Sequence, residues 1–388
     1  MATSSIARKI NRIRVLQTLL ENPLMSRAEV ARDLRLTKST LTSVVGSLLA
    51  DKLIVEHDLE APPSRVGRPG IMIGLNASGA LFLGAEIAVG TLKVTALDLS
   101  AKQVGLVTRP LAEGATPKRT FAQLQGMVKE LTKQLPPDSV IKGMGVGLPG
   151  FVDTNGVLLH APHLGWSNFR ASDQLRALFP WPTIVDNDAN LWAFGEWYLN
   201  KSLRHQQVAL VSVSGGVGCG FVSDGRIVRG AHGLAGEMGH IFLDTREVGE
   251  TSPLPVTWDR IADKDSLLSA YRLQTGSEAS LKQLVAAQRA RDPAALFLSM
   301  KWAKSMAYGL LSVVYAYDPD VIVIAGDMAE FFEACQEFVQ SYLSEALIAG
   351  YPRARLTTAQ LVDSCAIGAA AYMHRAMFDT TMIEEIAT

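Results

Sequence analysis

Cysteine is scarce in this chain of 388 residues: Cys219, Cys335 and Cys365 are odd in number and far apart. That spacing builds no disulfide framework and fits a reducing cytoplasm. No apolar run approaches the ~20 residues needed to span a bilayer, so no membrane-spanning helix is expected. The start, MATSSIARKINRIRVLQTLL, spreads Arg8, Lys9, Arg12 and Arg14 through a helical pattern. A secretory signal needs a basic, then apolar, then cleavage-site order, and this stretch lacks it. The expected location is therefore cytoplasmic. Net charge is also scarce, at -1, but it is unevenly spread. Residues 1–50 hold eight Lys+Arg against three Asp+Glu, while everything after residue 75 holds 26 against 31. A small basic head on an acidic body points to nucleic acid at the head alone.

The head has a pattern to match its charge. Ile10, Ile13, Val15, Leu16, Leu19 and Leu20 recur at helical spacing until Asn22-Pro23 ends the run. Ser26 followed by Glu29 forms a capping box for a short second helix. Thr37 is placed to cap a third helix, whose Leu41, Val44, Val45, Leu48 and Leu49 face inward. Its first turns present Lys38, Ser39, Thr40, Thr42 and Ser43, donors where a recognition helix meets bases and phosphates. Two strand-like runs, 53–56 and 71–75, flank a Gly/Pro/Arg loop carrying Arg65 and Arg68. That arrangement describes a wing, whose arginines suit a narrow minor groove. The head, residues 1–75, reads as a winged helix-turn-helix DNA-binding domain. A three-helix domain used for protein contacts is the alternative.

Residues 76–388 mix strands and helices, which argues α/β. Strands are expected near 81–88, 91–99, 140–148, 183–185, 208–213 and 321–324, and helices near 117–135, 188–199 and 293–317. The strand-turn-strand openings near 81 and 208 suggest two related halves. Asn187 and Asp188 fall at a strand-to-helix junction, a usual place for ligand groups. Asn offers donors and an acceptor, Asp accepts hydroxyl protons, and sugar hydroxyls need both. Asp188 is equally placed to cap the following helix. Glu237 and His240, three apart, share a face if helical; alone, His240 would read as a core histidine. Trp166 fits a ligand cleft or a buried core position.

Four segments together resemble the ROK family (repressors, open reading frames and sugar kinases), specifically its repressor branch with the xylose and N-acetylglucosamine repressors. They are Val146–Gly150, Asp186–Asn190, Ser214–Gly220 and Gly233–His240. The resemblance implies a two-lobed actin-like ATPase (sugar kinase-like) fold behind the head, a sugar site between the lobes, and a homodimer or homotetramer. It also implies that Asn187, Asp188, Glu237 and His240 hold the sugar, with Asp188 at the position of the kinases' general base.

The family's kinase and zinc patterns are broken. The opening phosphate turn, Asp-x-Gly-Gly-Thr in the kinases, is Glu86-Ile87-Ala88-Val89-Gly90-Thr91, and the late Gly-Gly pair is Ala325-Gly326-Asp327. Phosphoryl transfer depends almost wholly on positioning and charge neutralisation, so neither ATP binding nor catalysis is expected. The family's zinc run of cysteines has no counterpart, because residues 241–259 contain no cysteine and Thr257 stands where the last should be. No metal and no other cofactor is expected. Asp259 matches the family's glutamate as a further sugar contact, one methylene shorter. The sequence therefore predicts a DNA-binding repressor with operator DNA and a sugar or sugar derivative as its partners. A sugar kinase with an appended DNA-binding head is the rival, and a body serving only as a dimerisation scaffold is the third reading.

Overall fold

The computed structural model describes residues 2–57, 71–244, 256–361, 364–379 and 382. By its internal contacts the chain divides into two compact units, residues 1–186 with 365–388, and residues 187–364.

The first unit begins with the predicted head. Helix α1 (Ala2–Glu21) is followed by the short strand β1 (Met25–Ser26), then α2 (Arg27–Asp33) and α3 (Lys38–Ala50). Both predicted caps form. Ser26 accepts from the Glu29 amide while Glu29 accepts from the Ser26 amide, and Thr37 Oγ1 accepts from the Thr40 amide. Strands β2 (Ile54–His57) and β3 (Met72–Leu75) pair antiparallel, with Ile54 opposite Leu75 and His57 opposite Met72. They are the two flanks of the predicted wing; its tip, with Arg65 and Arg68, lies outside the described residues. Val15, Leu19, Val30, Val45, Leu48 and Ile73 close the head's core.

Beyond the junction, β4 (Leu81–Ala88), β5 (Thr91–Asp98) and β6 (Gln103–Pro110) form an antiparallel meander. Helix α4 (Pro117–Gln134) buries Phe121, Leu124, Val128 and Leu131 at helical spacing and returns the chain to β7 (Ile141–Leu148), parallel to β4. A small sheet of β8 (Phe151–Val152), β9 (Leu158–Ala161) and β10 (Trp166–Phe169) follows, then α5 (Ala171–Leu178) and β11 (Thr183–Asn187). Trp166 is a core residue whose Nε1 donates to the Ala115 carbonyl at 2.8 Å. The main sheet runs β6-β5-β4-β7-β11.

The second unit repeats that plan. Helix α6 (Asp188–Leu199) leads to β12 (Val208–Val213), β13 (Val217–Ser223) and β14 (Arg226–Ile227). Next come β15 (Phe242–Asp244), β16 (Val256–Thr257), α7 (Trp258–Ala262), α8 (Lys264–Thr275) and α9 (Leu281–Arg289). The 25-residue α10 (Pro293–Tyr317) precedes β17 (Val321–Ala325), α11 (Ala329–Ala346) and β18 (Arg355–Thr358). The sheet order is β14-β13-β12-β17-β18, so each main sheet sets its first strand between an antiparallel second strand and a parallel fourth. The two halves expected from the openings near 81 and 208 are present.

Finally α12 (Ser364–Met377) returns to the first unit. Met373 and Phe378 are buried in the same core as the head's own residues, with Phe82 and Leu99 of the sheet. Gln17 Nε2 of α1 donates to the Phe378 carbonyl at 2.9 Å. The junction is held as well: the Asn76 amide donates to Leu53 O and its side chain to Lys52 O. The described residues of the head thus share a core with the body and are not strung from it on a linker.

Candidate functional site

On the head, Ser39, Thr42, Ser43 and Gly46 recur at i, i+3, i+4 and i+7 of α3 and are all exposed, as is Lys38. Leu41, Val44, Val45 and Leu48 on the opposite side are buried. Thr40 is half-buried, and its hydroxyl lies 2.8 Å from that of the capping Thr37, which commits it to the start of the helix. Thr42 Oγ1 donates to the Lys38 carbonyl. The basic charge of the head is only partly available to DNA. Arg12 bonds Ser47 and pairs with Asp51 at 2.5 Å, and Arg27 pairs with Glu56. These two arginines brace the head, which a count of charges does not reveal.

All five predicted sugar residues fall in the second unit. Asn187, not Asp188, is the N-cap of α6: its Oδ1 accepts from the amides of Ala189 at 2.9 Å and Asn190 at 3.2 Å. Asp188 is the first helical residue, where a carboxylate also gains from the helix dipole, and its Oδ1 accepts from the Ala189 amide. The cap reading of Asp188 is corrected by one residue, because the extended backbone of Asn187 (φ −61°, ψ 143°) is the geometry a cap requires. Both side chains are half-buried.

Strand β13 positions the rest. A β-carbon on Gly220 would come within 2.3 Å of the Ala189 carbonyl, so only glycine lets the start of α6 lie this close to the strand. The turn carrying Glu237 and His240 packs against the same strand at Val217 and Cys219. That turn is a single 3-10 turn, Met238–His240, entered from Glu237. His240 Nε2 lies 3.9 Å from Glu237 Oε2, and His240 Nδ1 lies 3.6 Å from Asp259 Oδ2. The histidine thus stands between two carboxylates. Burial holds the Glu237 carboxyl above the usual range, opposed by the neighbouring His240. Asp259, at the start of α7, is held by Thr257 Oγ1 and the Arg260 amide, both donating to its Oδ1. Its side chain therefore meets the histidine despite being shorter than glutamate.

The segments that match the family's phosphate loops carry contacts of their own. Glu86 of β4 pairs with Lys93 directly across on β5, at 3.5 Å. In the second unit, Lys264 Nζ donates to Asp327 Oδ2 at 2.9 Å, and the Asp327 amide donates to Ser214 Oγ at 3.0 Å. The glycine loop after β12 is tied to the turn after β17 by these bonds.

Comparison with known proteins covers almost the full length. The ROK family model matches residues 84–376. A putative xylose repressor of Caldicellulosiruptor sp. (strain Rt8B.4) is 24% identical over 389 residues, covering 96% of this chain and 97% of the relative. The N-acetylglucosamine repressor of Escherichia coli O6:H1 is 24% identical over 392 residues, with 98% and 96% covered. Among solved structures, a ROK family transcriptional regulator, described as a homolog of the E. coli MLC protein, superposes with a TM-score of 0.81. It is 22% identical and covers 98% of this chain and 99% of its own. Its fold therefore includes the head as well as the two units. With three quarters of its residues matched by the family model, this chain belongs to the ROK family.

Proposed function

We propose that this ROK protein is a transcriptional repressor that binds operator DNA through its winged head and releases or engages it in response to a sugar or sugar derivative. The observation that carries this reading is the exposed face of α3, with Lys38, Ser39, Thr42 and Ser43 at the start of a capped helix, on a body of sugar-kinase ancestry. Such helices enter the major groove by their first turns, and Arg65 and Arg68 of the wing would add backbone or minor-groove contacts. Two-fold operators are read by two-fold proteins, so the acting species is a homodimer or a homotetramer. The effector lies against Asn187, Asp188, Glu237, His240 and Asp259. It alters operator affinity only insofar as it binds the DNA-competent and DNA-incompetent states differently.

Catalysis is not part of this reading. The ROK resemblance matches Asp188 to the kinases' general base, but it also matches Asp327 to a glycine of their late Gly-Gly pair, and that carboxylate is paired with Lys264. Glu86 and Ala88 likewise replace the acid and a glycine of the opening phosphate turn. An operator is first selected from a random duplex library. Fluorescence anisotropy then follows its binding during titration with D-xylose, D-glucose and N-acetyl-D-glucosamine, with MgATP turnover measured on the same sugars. A change in operator affinity with one sugar, lost in His240→Ala, supports the sensor. Sugar-dependent ATP turnover would restore the kinase reading, and no sugar effect in either assay would leave the body as a scaffold.

A further inference from the structure

The ROK resemblance implies a structural zinc beside the sugar site, and the donors for it are not here. Residues 241–259 contain no cysteine. Of the chain's three cysteines, all buried, Cys219 lies on β13 behind the Glu237–His240 turn, and Cys335 and Cys365 lie on α11 and α12. His240 faces the carboxylates of Glu237 and Asp259. A Cys₃His site is chemically impossible with this set. Yet Asp259 and His240 are brought within 3.6 Å of each other, so something other than a metal fixes the ribbon that carries them.

The fixing element is visible in α7 and α10. Trp258, directly before Asp259, is fully buried, and its indole lies on the backbone of α10 at Gly309. A β-carbon on Gly309 would fall 2.0–2.4 Å from three indole atoms, so the ring occupies the space that any side chain there would fill. The Trp258 amide donates to Ile241 O at 3.0 Å, which ties Asp259 to the residue after His240. Phe242 and Thr257 pair across β15 and β16. The far end of α7 is tied down too: Trp302 Nε1, two helical turns before Gly309 on α10, donates to Ala262 O at 2.9 Å. Helix α7 is thereby pinned to α10 at both ends.

We infer that Trp258, seated on Gly309, is the positioning residue of the effector site, and that this contact supplies the ordering for which the family's metal is absent here. The inference rests on the sugar reading for its functional meaning, but its structural content is measured without any sugar. The perturbation is Gly309→Ala in the full chain. Alanine is the better helix former, so a residue serving α10 alone would tolerate or gain from it. Here the added methyl displaces the indole. Hydrogen exchange at 238–243 and 256–262 should rise about tenfold, the scale of a core overpacked by one methyl, while the head and the first unit keep wild-type exchange. Trp258→Leu should loosen the same two segments, and adding Gly309→Ala to it should change nothing more, because the two residues act through one contact. EDTA should leave wild-type exchange unaltered. The same variants should lose about tenfold in affinity for whichever of D-xylose, D-glucose or N-acetyl-D-glucosamine binds the wild type, with sugar-free operator binding retained. Unchanged exchange in both single variants, additive effects in the double variant, or loosening by EDTA each overturns the inference. A wild type that binds none of these sugars defeats the sugar reading only, and the exchange data still decide the role of Trp258.

Discussion

Acidification should weaken the attachment of the head, through one histidine. His374 of α12 is fully buried between Phe82 and Phe378, with ring centroids 4.9 Å and 4.8 Å away. Its Nε2 lies 3.1 Å from the Leu99 carbonyl, as a donor. Burial pushes the imidazole down to about 4 from the ordinary 6.5, the bond to Leu99 opposes this, and the nearby Arg375 adds to it. The folded state therefore binds the proton more weakly than the unfolded one. Stability from this group is complete above pH 6.5 and is lost as pH falls from there towards 4. Between pH 7 and pH 5 the loss is about 2 kcal/mol, roughly a 20- to 30-fold rise in the opening constant. Because His374 shares its core with Val15, Leu19 and Phe378, amides of α1 and of residues 371–379 should report it by hydrogen exchange, after correction for intrinsic chemistry. Carboxylates also titrate in this window, so the decisive comparison is with His374→Gln, which keeps a donor and cannot titrate. The pH dependence of exchange at these amides should be steeper in the wild type by about that factor. Equal slopes in the two proteins would refute the reasoning.

Other expectations concern the effector site and the loop behind it. If sugar binding uses the Glu237 anion, its raised pKa makes binding fall at a higher pH than an ordinary carboxylate would, and Glu237→Gln should flatten that acid limb in an isothermal titration series. Asn187→Ala should cost about 1 kcal/mol of stability through the lost cap, whereas Asn187→Asp should keep the cap and lose only sugar affinity, read by thermal melts with and without sugar. Glu196 is buried in the last turn of α6, and its Oε1 accepts the amides of Gln360 and Leu361 at 2.9 Å and 2.8 Å. Glu196→Ala strands both donors and should cost about 3 kcal/mol in urea unfolding of the second unit, while Glu196→Gln should cost clearly less.

What could be read from the sequence was whatever local chemistry dictates. Ser26 and Thr37 announce their helices because a hydroxyl at that position satisfies an amide the helix cannot. The strand-turn-strand openings of both units were legible from alternation and turn residues, and the repeated sheet order follows from them. Asn187 and Asp188 stand out in the sequence only by their strand-to-helix junction, and Glu237 and His240 by their spacing of three; the sugar role expected of them comes from the ROK resemblance. The misplaced cap shows the limit of that signal: in Asp186-Asn187-Asp188 every residue is a good cap, and only the backbone angles choose Asn187.

The contacts that make the pieces one protein are long-range, and no window of sequence contains them. Trp258 meets Gly309 from 51 positions away, and each alone reads as an ordinary apolar core residue or a helix-weakening glycine. The case of α12 is stronger. Its apolar run predicts a buried helix and nothing about which core it enters, yet Met373 and Phe378 complete the core of a head that begins the chain. A basic three-helix head with a wing looks autonomous when read from residues 1–75. Its core is in fact closed by Met373 and Phe378, about 300 to 360 positions later, with Gln17 bonded to the Phe378 carbonyl. Because the head borrows that closure, any state of the body that shifts the end of α12 must also change the free energy of the head. A DNA-binding surface on a separate, self-sufficient domain would have no such obligation. Phe378→Ala should therefore lower operator affinity although the residue touches no DNA, and a head unaffected by that substitution, in anisotropy and in exchange at α1, would remove α12 from the route between effector and operator.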